Sequence, residues 1–151
     1  MKILYMLQQV KNVDLGYEFD IYTYGPYAPE VLESVDELIE KELVTSKMYR
    51  YNNYVGYKLN LTEKGKQALT EINQEDSSSL HDILSFTEGC SAKDLELYST
   101  IIFVSSFYSR CKGKFSAIDV KNKVQEIKPH FDIGEISESY ESLVKENYVK
   151  V

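Results

Sequence analysis

An α+β fold that is predominantly helical is predicted by three features of the sequence. Apolar residues recur at helical spacing over most of the chain. Two runs rich in tyrosine, valine and leucine flank a polar turn, which is typical of a β-hairpin. With 43% hydrophobic and 27% charged residues among 151, the composition is that of a globular protein of one domain or two very small ones.

The first two helices are predicted from apolar periodicity. Residues 2–10 place isoleucine, leucine and valine on one stripe. Aromatic and polar residues then alternate over residues 17–24, which predicts a strand that Gly25 and Pro26 stop. A second helix follows over residues 29–42, because proline is tolerated in a first turn and one face of the segment is apolar.

The hairpin comes next, over residues 43–61, followed by a helix that Thr62 is expected to cap. The order helix, extended segment, helix, hairpin, helix is that of a winged helix. We therefore predict a winged-helix-like domain over residues 1–75, with its wing built around Tyr49 to Tyr57.

The second half, residues 76–151, is predicted to be a helical domain. The polar run at residues 74–79 is the expected linker. Ser91 and Asp94 resemble a capping box in front of a long, apolar helix, which we expect to be central and buried. Further helices are expected over residues 80–86, 116–127 and 134–146, and a short strand over residues 148–151.

An internal echo links the two halves. Five residues recur at a constant offset of 105, so the second half is either a reduced second helix-turn-helix unit or an unrelated pair of acidic helices with the same core period. The pairs are Glu30 and Glu135, Glu33 and Glu138, Ser34 and Ser139, Leu38 and Leu143, and Val44 and Val149.

The aromatic motif before the second helix resembles that of a known family. Tyr22, Tyr24, Gly25, Pro26, Tyr27 and Ala28, preceded by the lysine-led segment 2–7, are similar to the YwgA-type family of uncharacterised prokaryotic proteins and, more distantly, to Panacea-domain proteins, which include phage-associated antitoxins. The resemblance covers roughly residues 1–70 and implies a winged-helix-like fold with DNA-binding or adaptor roles. The family usually carries a further helical segment before the lysine, which would leave part of the usual core or interface absent or replaced by a partner.

Catalytic, metal and cofactor motifs are not found in the sequence. Cys90 and Cys111 have no CxxC spacing, His81 and His130 lie far apart, and the seven glycines form no phosphate-binding loop. We therefore expect a protein that is not an enzyme and binds no cofactor. The apolar stretch around residues 95–108 is interrupted by serine and threonine, so a cytoplasmic location without a membrane span is expected.

Charge is distributed unevenly along an otherwise acidic chain of net charge −7. Residues 41–66 hold six basic and two acidic residues, and the stretch 110–128 holds six basic and two acidic ones as well. The hairpin combines cations, tyrosine rings and amides that could meet a partner or the phosphates and groove edges of nucleic acid. The candidate contact residues are Lys47, Tyr49, Arg50, Tyr51, Asn52, Asn53, Tyr54 and Lys58.

The second helix argues against the usual use of a winged helix. Residues 30–40 contain five acidic residues and no basic one, so a recognition helix at this position would face phosphates with carboxylates. We expect a non-enzymatic regulator or adaptor that acts by protein–protein contact. The alternative is a transcriptional regulator that binds double-stranded DNA through a basic, tyrosine-rich wing, and homodimerisation is compatible with both.

Overall fold

The computed structural model describes residues 1–51, 54–71, 77–111 and 115–150. The fold is α+β and 61% helical, with seven helices and two small antiparallel sheets among these residues. The chain divides into two compact units, one formed by Met1–Ala28 with Asp76–Val151 and the other by Pro29–Glu75. The boundary expected after residue 75 coincides with the end of the second unit, whereas residues 1–28, expected in the first domain, pack with the C-terminal half.

The larger unit is built around one long helix. Helix α5 is buried along most of its length, as its apolar circumference predicts, and carries Leu97, Ile101 and Val104 into the core. Met6, Ile83 and Leu143 from other helices complete this cluster. The helices of the unit are α1 (Lys2–Lys11), α4 (Ser77–Phe86), α5 (Ala92–Arg110), α6 (Ala117–Ile127) and α7 (Ile133–Lys145).

A small hairpin replaces the single strand expected over residues 17–24. Strands β1 (Asp20–Tyr22) and β2 (Gly25–Tyr27) pair antiparallel, with Tyr22 opposite Gly25. The prediction that Gly25 and Pro26 end the strand is therefore wrong. The chain reverses its direction before these two residues, and both belong to the returning strand. Gly25 makes this possible because its φ of +95° is costly for residues with a Cβ.

The smaller unit contains the elements predicted between residues 29 and 71. Helix α2 (Pro29–Glu40) leads into strand β3 (Val44–Tyr51), and strand β4 (Tyr54–Leu61) leads into helix α3 (Glu63–Glu71). The predicted hairpin is confirmed, with Val44 opposite Leu61 at its base. Its turn at residues 52 and 53 lies outside the described residues.

Two further expectations are corrected by the structure. The serines at 77–79, expected in a linker, form the first turn of α4. They can do so because serine is a favourable residue at the start of a helix. The strand expected at the C-terminal end is not formed by residues 148–150, which turn back instead so that Val149 is buried in the core of the larger unit.

Capping boxes begin the three C-terminal helices. At α5 the predicted box is confirmed: Asp94 Oδ2 accepts hydrogen bonds from the Ser91 backbone N–H at 2.8 Å and from its hydroxyl at 2.7 Å. Ser116 and Asp119 repeat this arrangement at α6. The hydrogen bond from the Ser91 side chain, followed by that from its backbone, lowers the pKa of Asp94 below 3.8.

The capping boxes predict a specific loss of stability in acid. Because the folded pKa of Asp94 is lowered, its contribution is present above 3.8, the ordinary value, and is lost as the pH falls through the folded pKa. We expect Asp94→Asn to lower Tm at pH 7 and the difference from the wild type to narrow below pH 3.8. Asp36→Asn on α2 is the control, since the exposed side chain of Asp36 forms no hydrogen bond or ion pair with the described residues. A difference for Asp94→Asn that stays constant from pH 7 to pH 3 would contradict this expectation.

The internal echo extends to the way two helices end. After α2, Glu42 adopts a φ of 58°, and the Leu43 N–H donates to the Leu38 carbonyl at 2.9 Å. After α7, Asn147 adopts a φ of 60°, and the Tyr148 N–H donates to the Leu143 carbonyl at 2.8 Å. Both are Schellman ends, and each pair of residues is again 105 apart. The internal similarity in sequence therefore extends to the structure of the two helix ends. That the second half is a reduced second helix-turn-helix unit remains an interpretation.

Candidate functional site

The hairpin of strands β3 and β4 is held at its base by one threonine. The Thr62 hydroxyl donates to the Glu42 carbonyl at 2.7 Å and accepts from the Gly65 N–H at 2.9 Å, so the predicted N-cap is confirmed. The Thr62 N–H also donates to the Leu43 carbonyl at 3.1 Å. The end of α2, the hairpin and the start of α3 are thus joined at one point, which orients the hairpin within its unit.

The register divides the hairpin into two faces of different chemistry. Residues paired across an antiparallel ladder share a face, and alternate residues along a strand point to opposite faces. Lys47 is opposite Lys58, and Tyr49 is opposite Gly56, which makes one face polar and cationic. The other face is mostly apolar and carries Arg50 as its single charge; its residues are Val44, Ser46, Met48, Arg50, Val55, Tyr57, Leu59 and Leu61.

The mostly apolar side of the hairpin is open to solvent. Tyr57 is 69% exposed, and Met48 and Val55 are 54% exposed each. Among the described residues of this unit, only Val31 and Gly65 are buried. So small a core leaves most of the unit's apolar side chains in contact with solvent, and contiguous exposed apolar surface marks an interaction site. We call the exposed set Met48, Val55, Tyr57, Leu59 and Leu61 the apolar face.

The cations of the hairpin have no carboxylate partner. Lys47, Arg50 and Lys58 form no ion pair within the part of the chain that the structure describes. Lys47 instead places Nζ 5.7 Å from the centroid of the Tyr49 ring. Two lysines directly opposite each other repel, so this pair weakens the isolated hairpin and favours a negatively charged neighbour.

The remaining lysines around the hairpin are neutralised within the unit. Their partners lie on the helices that flank it or in the turn after α2, so the local excess of positive charge predicted over residues 41–66 is concentrated on the hairpin itself. The pairs are Lys41 with Glu37 at 3.2 Å, Lys64 with Glu42 at 3.9 Å and Lys66 with Glu63 at 2.7 Å.

The predicted contact residues divide between the two faces. Lys47, Tyr49 and Lys58 share the polar face, whereas Arg50 lies on the opposite one. The backbones of Tyr51 and Tyr54 pair at the far end of the ladder, and Asn52 and Asn53 lie outside the described residues. The apolar face was not predicted from the sequence, although the alternation of apolar and polar residues along each strand indicates it.

Most cations described in the second basic stretch, residues 110–128, are paired or buried, so its described part forms no comparable surface. Lys123 pairs with Glu126 at 2.9 Å, and Lys121 lies 3.9 Å from Glu141. Lys128 is buried, while Lys112 and Lys114 lie outside the described residues. Among the described residues of the stretch, only Arg110 lacks a carboxylate partner.

A buried charge cluster in the larger unit was not predicted. Lys128 and Glu96 have side chains only 3% and 9% exposed, and Lys128 Nζ lies 3.0 Å from Glu96 Oε1. His130 Nε2 lies 3.4 Å from the same oxygen, which accepts no well-aligned hydrogen bond from the described residues. Burial, more than the charge of Lys128, lowers the pKa of the nearby Lys2.

The cluster explains the aromatic motif that precedes α2. Lys128 Nζ donates to the carbonyls of Tyr22, at 3.0 Å, and Thr23, and so fixes the reversal between β1 and β2. A Cβ on Gly25 would lie 3.1 Å from Ser99 Oγ, tighter than ordinary contact. Tyr22 and Tyr24 stay exposed and border a groove of about 720 Å³ that also includes His130. These contacts assign the motif a packing role.

Other classes of site find no support in the described residues. No group of three or more histidine, cysteine, aspartate or glutamate side chains is arranged to hold a metal ion there. None of the helices described is both long and apolar enough to cross a membrane. The sequence matches no protein-family model and no curated protein, so the proposal for its function rests on the geometry of the hairpin.

Proposed function

We propose that this chain is a non-enzymatic regulatory or adaptor protein that acts by protein–protein contact through the hairpin of a winged-helix-like unit. The observation that carries the proposal is the apolar face, exposed in a unit where Val31 and Gly65 alone are buried among the described residues. The order α2, hairpin, α3 within this unit supports the winged-helix interpretation, whereas the first helix and the extended segment of the predicted order pack with the larger unit. The resemblance to YwgA-type proteins agrees with it.

The energetics of the apolar face favour a protein partner. Burying an apolar side chain of this size contributes about 1.5–3 kcal/mol, so five that are roughly half exposed would contribute about 4–8 kcal/mol. Association costs about 4–15 kcal/mol before any contact is counted. The apolar face therefore needs support from its surroundings, and Arg50, which lies on the same face and forms no ion pair with the described residues, supplies it if the partner is acidic.

Double-stranded DNA is the second candidate for the binding partner, and the polar face of the hairpin supports this alternative. Lys47, Tyr49 and Lys58 combine two cations and a ring on one face of an exposed hairpin. The acidic α2 and the ion pairs of Lys121, Lys123 and Lys128 weigh against it, because phosphate contacts supply most of the affinity for DNA. A DNA complex would use the polar face and leave the apolar face uncovered.

The two faces can be tested separately with paired substitutions. Each variant is tagged, expressed at native level in the source cells and compared with the wild type for protein capture and for the electrophoretic mobility of genomic DNA fragments. We expect Met48→Ser/Tyr57→Ser to reduce capture by tenfold or more, as loss of central apolar contacts does. Tyr22→Ser/Tyr24→Ser, at similarly exposed positions of the larger unit, should capture normally.

The opposite pattern would assign the function to DNA. If Lys47→Glu/Lys58→Glu abolishes a mobility shift that Met48→Ser/Tyr57→Ser retains, and that shift weakens steeply with salt, then the protein-contact proposal is wrong. Circular dichroism of each variant shows whether the fold persists. We expect the fold to persist, because the substituted side chains are exposed.

A further inference from the structure

We propose that the larger unit binds a small aromatic acid in a cavity of about 160 Å³ that α5, α6 and α7 border. Two side chains carry the proposal: Ser105, whose buried hydroxyl has no hydrogen-bond partner among the described residues, and Lys150, whose ammonium has no carboxylate partner there. Every residue that borders the cavity belongs to the larger unit, whereas the hairpin belongs to the smaller one. The proposal is therefore independent of the proposed function.

The hydroxyl of Ser105 is an unused donor in the interior. Ser105 is 9% exposed, and its Oγ forms no hydrogen bond with the described residues. On the same helix, the hydroxyls of Ser99, Thr100 and Ser109 each donate to the carbonyl four residues earlier, at 2.7, 2.8 and 2.8 Å. A buried donor without an acceptor costs free energy, so an acceptor from outside the chain explains why Ser105 departs from this pattern. The cavity that Ser105 borders is where such an acceptor can enter.

The aromatic walls and the size of the cavity suit one ring. The rings of Tyr108 and Phe115 stack with centroids 4.1 Å apart and an angle of 5° between their planes, and both border the cavity, as does the buried Tyr140. The volume is close to the roughly 150 Å³ of a protein cavity that holds benzene, and it lies below the about 300–1,000 Å³ of sites for larger ligands. The ligand is therefore limited to a single ring with short substituents.

The charge at the cavity selects an acid. Lys150 is the only charged residue among the described residues that border it, although the whole chain has 24 acidic and 17 basic residues. The neighbouring Val149 is buried in the core, which holds Lys150 at the cavity. The hydroxyl of Ser116, which also borders the cavity, is already engaged by Asp119 at 2.6 Å. Lys150 thus offers a free cation and no carboxylate there repels an anion.

The two donors lie at the same end of the cavity. Ser105 and Lys150 also border an adjacent cavity of about 190 Å³, so both belong to the wall that the two cavities share. A carboxylate at this wall would accept from the Lys150 ammonium and the Ser105 hydroxyl, while its ring lies beside Tyr108 and Phe115. Hydrogen bonds to an ionised group are the stronger kind, which is why we expect an acid rather than a neutral ring.

The test is a titration of the purified full chain with sodium benzoate, which has one ring and one carboxylate, followed by ¹H–¹⁵N NMR and by Tm. Saturable shifts are expected for the amides of residues 105–109 and 115–117 and not for those of strand β3, and Tm should rise with benzoate concentration. Benzyl alcohol, which lacks the charge, and acetate, which lacks the ring, should each bind about tenfold more weakly or worse. Lys150→Gln should weaken benzoate binding by a similar factor.

Ser105→Ala separates a binding role from a structural one. It removes a buried hydroxyl without a partner, so Tm in the absence of benzoate should equal or exceed that of the wild type, while the dissociation constant for benzoate rises about tenfold or more. The matched controls are Ser142→Ala and Lys145→Gln on α7, at positions that do not border the cavity, and both should bind benzoate as the wild type does.

Three results would overturn the inference. The first is the absence of saturable shifts in the wild type up to about 20 mM benzoate, the affinity range of a ligand with so few atoms. The second is acetate binding as tightly as benzoate, which would show that the ring is not recognised. The third is unchanged benzoate binding by Ser105→Ala, which would mean that a water molecule rather than the ligand satisfies this hydroxyl.

Discussion

Lys128→Met is expected to destabilise the larger unit by about 3–5 kcal/mol, because removal of one partner leaves a buried charge uncompensated. Glu96 lies 3.0 Å from Lys128 Nζ and has a side chain only 9% exposed. His130 Nε2, at 3.4 Å, can balance the carboxylate only when protonated, and Lys2 is a further cation that interacts with Glu96. Unfolding in urea at pH 8, monitored by far-ultraviolet circular dichroism, measures this loss of stability.

A second variant separates the charge from the contacts that Lys128 makes with the backbone. Glu96→Gln/Lys128→Met removes both charges, so it should recover part of the stability lost in Lys128→Met. Recovery should be incomplete, since the carbonyls of Tyr22 and Thr23 still lose their donor. If Lys128→Met unfolds at the same urea concentration as the wild type, the cluster does not stabilise this unit in the way described.

Gly65→Ala is expected to destabilise the smaller unit by about 2–3 kcal/mol, within the range for overpacking a tight contact. A Cβ at this position would lie 3.0 Å from the Leu43 carbonyl carbon and 3.2 Å from Leu61 Cδ2, and it would overlap the Leu43 carbonyl oxygen. The higher helix propensity of alanine offsets about 1 kcal/mol of this cost at most. The base of the hairpin must therefore shift.

The matched control for Gly65→Ala is Gly56→Ala on strand β4. A Cβ on Gly56 meets nothing within 4 Å in the described structure, so this variant should be near neutral. Limited trypsin digestion reads out the difference, because the β ladder holds the backbone at Lys47 and Lys58, and a protease can cleave there only when the hairpin opens. Equal cleavage rates in the two variants would contradict the anchoring role assigned to Gly65.

The elements with strong periodicity were predictable because their signals are local. Apolar spacing located α1, α2 and α5, and alternation about a polar turn located β3 and β4. The β1–β2 hairpin was not predicted, because glycine followed by proline usually marks the end of a strand. Here Gly25 packs against Ser99 and Lys128 fixes the reversal, and both contacts join residues far apart in sequence.

The candidate site was predictable only in part for the same reason. Sequence placed the cations and tyrosines on a hairpin, yet which residues of the two strands share a face depends on the register of their pairing. A shift of one residue would have placed Lys58 on the face of Arg50 instead of the face of Lys47. The neutralisation of the second basic stretch by Glu126, Glu141 and Glu96 depends partly on helix packing, so charge counts along the chain could not show it.

Photo-crosslinking at Tyr57 tests the central claim, that the apolar face of the hairpin is the protein-contact surface. Benzoylphenylalanine is placed at position 57 in one variant and at position 22 in another; the two tyrosines are 69% and 65% exposed, so they differ in location rather than accessibility. Irradiation of cells should yield a discrete protein adduct from position 57 and none of that mass from position 22. The same adduct from both positions, or none from position 57, would contradict the account.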